Sequence, residues 1–384
     1  VAFVVFNSVG NGELVPKQIT NYRWALSAFG TASAAALSRN DTVYCLTPLH
    51  HQSGLLVSLG GSVVAGSRIA LSRGLCPERF LDEVRQYGVS VVTYTWSMLR
   101  EVIDDPNFTL SGNNPIRLFM GSGMPTGLWE RILEVFAPAK IVEFFTTSDG
   151  QAVLANVAGL KVGSEGRPLP GGGEVELGAY DPEEDLILED NRGFVRLAGR
   201  EETGILLAKP WGPIDPTASV KRGVFAAGDI WISTEYVFWR DADGDYWLLG
   251  NRSGLLRTAR GVVFPAPITD AVGRIGAVDL AVTYGVETPG GTLAVTALTV
   301  RPGMSVTPAD IGEAVANMPV GLPPDVVHLV ADLAVSASYR PVVSALRAAG
   351  VPKAGRNSWY LDADTGKYRR LSAAARSAFT KGVG

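Results

Sequence analysis

The sequence is poor in the residues that most readily announce a chemistry. Among 384 residues there are two cysteines, Cys45 and Cys76, and three histidines, His50, His51 and His328. These are too few for a disulfide framework or a Cys/His zinc site, and they predict a reduced, intracellular chain. No run of about 18 apolar residues occurs, so no membrane-spanning helix is expected. A secretory signal is not expected either. There is no G-x-S-x-G, and His328 is the one histidine outside the 50/51 pair, which argues against a serine hydrolase. Lys and Arg number 34 against 38 Asp and Glu, a net charge of −4. Nucleic acid is therefore not the expected partner, because phosphate contacts need clustered cations. The chain opens on VAFVVF, inside an apolar run and without an initiator Met. The expectation is that an N-terminal part of a larger protein, or a fused domain, is missing.

What is present is globular. The composition is 46% hydrophobic and 19% charged, with 44 Gly and 23 Pro to supply many turns. The length allows two or three domains and a large core. Val1–Phe6 reads as a buried strand. It feeds NSVGNGELVPK, a small-residue loop over 7–17 that ends in Lys17 and suits phosphate binding through backbone N–H groups. A glycine-bearing turn is the plain alternative. A helical pattern follows from Gln18. Strands are predicted at Asp41–Leu49, Val89–Tyr94, Arg117–Met120 and Ile141–Phe145. Helices are predicted at Pro77–Tyr87, Ser97–Asp104 and Trp129–Phe136. This alternation predicts a doubly wound α/β layer with a ligand crevice along the carboxyl ends of the strands.

The strand exits carry the chemistry. His50-His51 follow the second strand, and Gly121-Ser122-Gly123 follow the fourth. In EFFTTSDG an apolar run ends in Phe144 and Phe145, then gives Thr146, Thr147, Ser148, Asp149 and Gly150. An aromatic beside hydroxyls and a carboxylate can stack a purine and hold Mg²⁺ against phosphates. The same residues also make an ordinary Ser/Thr/Asp turn.

After Gly163 short strands alternate with turns, at Glu174–Tyr180, Leu186–Leu188, Phe194–Leu197 and Gly204–Ala208, which predicts a small distorted β-barrel. DADGD, residues 241–245, lacks the glycine and terminal Glu of a calcium loop and reads as a hairpin turn. GNRSGLLRTARG, residues 250–261, looks like a linker. Beyond it comes a small α+β domain, with strands at Leu280–Val286, Leu293–Val300 and Val326–Leu329. Its helix opens on Thr307 as cap with Pro308 in first position. The expected division is 1–160, 161–249, a hinge over 250–261, and 262–384.

The order of these motifs resembles the ANL superfamily of adenylate-forming enzymes, and within it the branch of fatty-acid transport proteins and very-long-chain acyl-CoA synthetases. FNSVGNGELVPK is similar to a degenerate Ser/Thr/Gly-rich phosphate loop ending in Pro-Lys. TPLHHQSG resembles a PLYHSAG-like segment, with His51 on its histidine. EFFTTSDGQAVLANV is similar to EFYGATEGN…N, with Phe145 on the tyrosine, Ser148 on the threonine and Asp149 on the glutamate. VGSEGRP, AAGD, GNRSG and WYLDADTGKYRRLS follow in the family's order.

The resemblance implies activation of a long-chain fatty acid by ATP with Mg²⁺, then transfer to CoA. Ser8, Lys17, Ser148 and Asp149 would hold phosphates and metal, with Thr147 beside them. Phe145, Gly121, Ser122 and Gly123 would hold adenine, and Asp229 the ribose. Arg252 falls just before the hinge, and Gly261 borders the pantetheine path. The place of the catalytic lysine has two candidates: SASYRP puts Arg340 there, while DTGKY offers Lys367. The first alignment also accounts for WYLD. A planar guanidinium is no geometric copy of an ammonium. With Val9 and Asn11 in the phosphate loop and Asp149 for Glu, this implies weak adenylation, or a catalytically degenerate homologue that keeps its binding architecture. A cytoplasmic location is expected, with a membrane-surface role implied by analogy alone.

Overall fold

A computed structural model describes residues 1–8, 14–110, 114–147, 150–169, 172–211, 214 and 218–381. The protein is an α/β molecule built on three large sheets and one hairpin. The first large sheet orders its strands Arg68–Leu71, Thr42–Cys45, Val91–Thr93, Leu118–Gly121, Lys140–Thr146, Val153–Asn156 and Arg167–Pro168. The first five run parallel and the last two antiparallel. Continuous apolar runs such as VVT and LFMG suit strands buried on both faces, and all residues of both are buried.

Local rules set the helices. Thr20 caps the helix Asn21–Ala34 by accepting from Arg23 N at 3.1 Å. Pro77 opens the helix Pro77–Tyr87, and Gly88, with φ of +59°, closes it. Under one face of the sheet, Phe80, Phe119, Trp129 and Phe136 form an aromatic core. The segment after His51 winds as a π-helix, Ser53–Leu59, and continues as an α-helix, Gly60–Ala65.

The second large sheet is an antiparallel half-barrel of six strands: Val175–Asp181, Leu186–Ile187, Glu202–Ala208, Ser219–Arg222, Ile230–Arg240 and Tyr246–Asn251. Asp241–Asp245 is the turn between its last two strands, as expected. Phe194–Leu197 is not a strand; it makes only isolated bridges, Glu189 to Val195 and Gly178 to Leu197. The third sheet has seven strands and begins with the hairpin Leu256–Thr258 and Gly261–Val263. The stretch 250–261 is therefore structured, with a 3-10 turn at Arg252–Gly254 ahead of that hairpin. Thr307 and Asp310 form a reciprocal capping box with Pro308 in first position.

The N-terminus departs most from expectation. Phe3–Ser8 pairs with Leu14–Ile19 as a two-stranded hairpin, so Lys17 lies within a strand, opposite Val5, rather than at the end of a loop. The strand is not buried either: Val5 is, but Val4, Phe6, Leu14 and Val15 are exposed. Among the described residues the hairpin joins no larger sheet; one face packs Val5 and Ile19 on Leu55 and Leu56, and the other, with Val4, Phe6 and Leu14, lacks the cover a central strand would have.

Candidate active site

The carboxyl ends of the parallel strands converge on one carboxylate. Glu143 sits inside the apolar strand Lys140–Thr146 and is buried. It accepts hydrogen bonds from the Tyr94 hydroxyl, the Gly123 N–H and, at 3.3 Å, the Met124 N–H. Burial pushes its carboxyl up to about 7 against the pull of those donors, with the Asp270 charge adding to the rise. Glu143 thereby fixes the Gly121–Gly123 exit. Gly121 has no room for a side chain, since a Cβ would stand 2.3 Å from the Tyr94 carbonyl oxygen. Gly123 has φ of +81°, open to glycine and strained for other residues. Ser122 accepts from the Trp96 N–H at 2.9 Å.

Arg340 arrives at this exit from the third sheet's side of the molecule. Its guanidinium lies 4.8 Å from the Trp96 ring centroid. The preceding carbonyl, of Tyr339, accepts from Ser97 Oγ at 2.8 Å. Lys367, by contrast, starts the exposed edge strand Lys367–Arg370, opposite Asp362. Trp96 is thus the shared neighbour of Gly123 and Arg340, while Lys367 lies on another edge.

The turn after Phe145 is built on Thr147. Its Oγ1 accepts from Ala152 N at 3.1 Å, and its carbonyl accepts from Gly150 N at 2.8 Å. Ser148 and Asp149 lie outside the described residues, and so does the side chain of Ser8. Phe145 is only 8% exposed and stands edge-on to Tyr236 and Phe238, at 5.1 Å from each. The ring expected as an adenine shelf is enclosed between the first sheet and the half-barrel.

A second wall faces this turn. Arg23, 8% exposed, donates from Nη2 to Gln52 Oε1 at 2.9 Å. Gln52 follows His51, whose Nδ1 accepts from Ser53 N at 3.2 Å, leaving Nε2 to carry the proton of the neutral ring. Burial lowers the His51 pKa, and the His50 charge lowers it further. Between these walls lies a largely apolar cavity of about 250 Å³, lined by Arg23, Phe29, Gln52, Leu56, Phe144 and Thr146 among others.

The remaining candidates sit on the half-barrel. Asp229 accepts from the N–H groups of Val224 (2.5 Å), Phe225 (2.9 Å) and Ala226 (3.1 Å) and from Trp231 Nε1 (2.9 Å). Partial burial opposes its ionisation, but these four donors outweigh it and hold the carboxyl below its usual range. Arg252 donates from Nε to Asp185 at 2.6 Å and lies over the Tyr180 ring. Gly261, with φ of +118°, abuts Glu183, whose Oε1 accepts from Val262 N at 2.8 Å. Arg252 and Gly261 thus meet one acidic loop, 183–185.

Three residues of this arrangement escaped sequence reasoning: Glu143, Arg23 and Trp96. A charge in the middle of KIVEFFT was the available signal for the first, since a carboxylate inside a buried strand needs donors. No comparable signal marks Trp96, whose partner lies far along the chain.

Comparison with known proteins gives a consistent neighbourhood. Residues 15–200 match the family profile described as AMP-binding enzyme. The chain is 27% identical over 315 residues to the medium/long-chain-fatty-acid–CoA ligase FadD6 of Mycobacterium tuberculosis, covering 79% of this chain and 52% of that one. Human long-chain fatty acid transport protein 5 is 27% identical over 319 residues, covering 79% and 46%. The chain thus spans about half the length of these curated relatives. Among solved structures, ATP-bound MatB from Rhodopseudomonas palustris superposes with a TM-score of 0.70 at 15% identity, covering 90% of this chain and 67% of that one. The o-succinylbenzoate CoA synthetase MenE of Bacillus subtilis, in complex with ATP and magnesium ion, gives 0.65 at 19% identity, covering 88% and 68%.

Proposed function

The chain belongs to the AMP-binding ANL superfamily of adenylate-forming enzymes, and from that membership we propose that it activates a fatty acid for transfer to CoA. The carboxylate oxygen of the acid attacks the α-phosphorus of ATP; an acyl-adenylate forms and pyrophosphate leaves. The CoA thiolate then attacks the acyl carbon, and AMP leaves as the thioester forms. Catalysis of this kind is positioning and charge stabilisation. The observation that carries the reading is a single indole, Trp96, that contacts both the Glu143-held Gly123 and the Arg340 guanidinium at a strand exit.

In this reading Gly121, Ser122 and Gly123 offer backbone groups to adenine, and Arg340 faces the reacting anions. Asp229 accepts from ribose, while Lys17, Ser8, Thr147 and Ser148 serve the phosphates. His51 lines the approach of the acid. The apolar cavity beside Arg23 takes the acyl chain. Arg252 and Gly261 border the path for CoA, in a stretch that separates the C-terminal part from the rest. Magnesium neutralises phosphate charge when bound. One carboxylate, Asp149, together with phosphate oxygens is the donor set that ion takes, so the residues present fit it. The exposed face of the Phe3–Ser8 hairpin, with Val4, Phe6 and Leu14, supports a further segment packing there in a longer protein. We place the reaction in the cytoplasm, beside the membrane surface into which long-chain acids partition.

Acid-dependent release of pyrophosphate from Mg-ATP tests the reading, with a series of fatty acids as substrates. A second reading is favoured by the enclosure of Phe145: a homologue that binds nucleotide or acyl ligands without adenylation. Calorimetric binding of Mg-ATP with no pyrophosphate release from any acid selects the second over the first.

A further inference from the structure

Tyr339 and Arg340 form the tip of a tight turn. Tyr339 N donates to the Ser336 carbonyl at 2.8 Å, Ser336 N to the Arg340 carbonyl at 2.8 Å, and Arg340 N to Ser336 Oγ at 3.2 Å. Val335 and Pro341 close the turn with an antiparallel bridge. Tyr339 has φ of +62°, a conformation that a non-glycine residue keeps only where its surroundings hold it. Those surroundings belong to the first sheet. Ser97 Oγ donates to the Tyr339 carbonyl, and the Tyr339 side chain packs on the aromatic core beneath that sheet.

Trp96 is held just as firmly. It too has a positive φ, of +46°. Its N–H is fixed on the Ser122 carbonyl, and its ring lies so close to Gly123 that a Cβ there would stand 2.8 Å from the indole. One indole therefore touches both the glycine-rich exit and the Arg340 guanidinium. A flat guanidinium gains from an aromatic face through both charge and stacking; an ammonium offers only a point charge. The arginine at 340 is matched to the tryptophan at 96.

Building on the adenylation reading above, we propose that Trp96 is a positioning residue of the site: its indole, seated against Gly123, holds the Arg340 guanidinium beside the glycine-rich exit.

The test compares acid-dependent pyrophosphate release and calorimetric Mg-ATP affinity in the wild type, Trp96→Leu, Trp96→Phe, Arg340→Ala, Arg340→Lys and the double variant Trp96→Leu/Arg340→Ala. Trp96→Leu is expected to lower kcat about tenfold with Mg-ATP affinity unchanged, and Trp96→Phe to restore most of the loss. Arg340→Lys is expected to fall as well, and the double variant to be no slower than Arg340→Ala. Independent, multiplicative losses, or a gain on Arg340→Lys, overturn the pairing. A wild type that releases no pyrophosphate defeats the adenylation reading by itself. The pairing is then read from hydrogen exchange at the Tyr339 and Arg340 amides, expected to speed up about tenfold in Trp96→Leu and to stay slow in Trp96→Phe. Equal protection in all three chains overturns it.

Discussion

Gly150 presses its α-carbon against the Arg23 guanidinium: a methyl group there would stand 2.8 Å from Nε and 3.1 Å from Cζ. Gly150 also has φ of +75°, so the backbone favours glycine, and a methyl there would push the buried guanidinium aside. The turn that carries Thr147 is thus seated on a buried cation, itself tied to Gln52 beside His51. Gly150→Ala is expected to cost about 1–3 kcal/mol of stability, read by urea unfolding. Mg-ATP affinity should fall with it if the turn serves phosphate and metal. Stability equal to wild type would show that the turn is not seated in this way.

Glu143 makes stability depend on pH in a defined direction. Its carboxyl is pushed from an ordinary 4.5 up to about 7 by burial. The folded chain therefore holds the proton more tightly than the unfolded one. The contribution is complete below about pH 4.5 and is lost as pH rises through about 7. Asp270, also pushed up to about 7 by burial, adds a slope of the same sign, so the difference between variants is the quantity to measure. Glu143→Gln should flatten the decline in unfolding free energy between pH 5 and pH 8. Parallel curves would remove Glu143 as its source. Glu143→Ala, which strands the Tyr94, Gly123 and Met124 donors, is expected to cost about 2–4 kcal/mol.

The alternating strands and helices of the first sheet were legible because each apolar run stops at a glycine, histidine or hydroxyl. Rules that act within a few residues, such as the Thr307 cap with Pro308 behind it, were legible for the same reason. The long strand Ile230–Arg240 was missed because Ser233, Thr234 and Glu235 interrupt its alternation. Glu235 has φ of +60°, and the register shifts two residues later. The opening stretch misled in another way: VAFVVF is apolar enough for a core strand, yet it pairs locally with Leu14–Ile19 and stays exposed. For the site, residue types at strand exits marked a candidate rim. What holds that rim, Glu143 under Gly123 and Trp96 against Arg340, depends on contacts between distant segments, which periodicity does not encode.

Lys161 places its ammonium 2.6, 2.7 and 2.9 Å from Asp241, Asp243 and Asp245. A lysine therefore sits among the three carboxylates of the turn that at first sight resembles a calcium loop. Lys161→Met would leave the three acids facing one another with Arg167, at 3.0 Å from Asp245, as their remaining ion-pair partner among the described residues. The expected loss is about 1–2 kcal/mol at low ionic strength, partly recovered in high salt, which screens like-charge repulsion. Thermal unfolding at both salt concentrations checks it; a loss that does not change with salt would mean that repulsion is not its source.

The Asp229 carboxylate already accepts four hydrogen bonds, all from residues 224–231. An ionised carboxylate offers about four lone-pair sites, so a ribose hydroxyl can bond it only by displacing or sharing one of those donors. ATP binding at Asp229 therefore implies a local exchange of partners. Two measurements separate this from a loop-closing role alone. Asp229→Asn, with one acceptor oxygen in place of two, should cost about 1–2 kcal/mol of stability in either case. If the ribose makes the exchange, the wild type should bind Mg-ATP about tenfold more tightly than the 2′,3′-dideoxy nucleotide, and Asp229→Asn should lose that preference. An unchanged preference in the variant would confine Asp229 to holding its own loop and move ribose recognition elsewhere on the half-barrel.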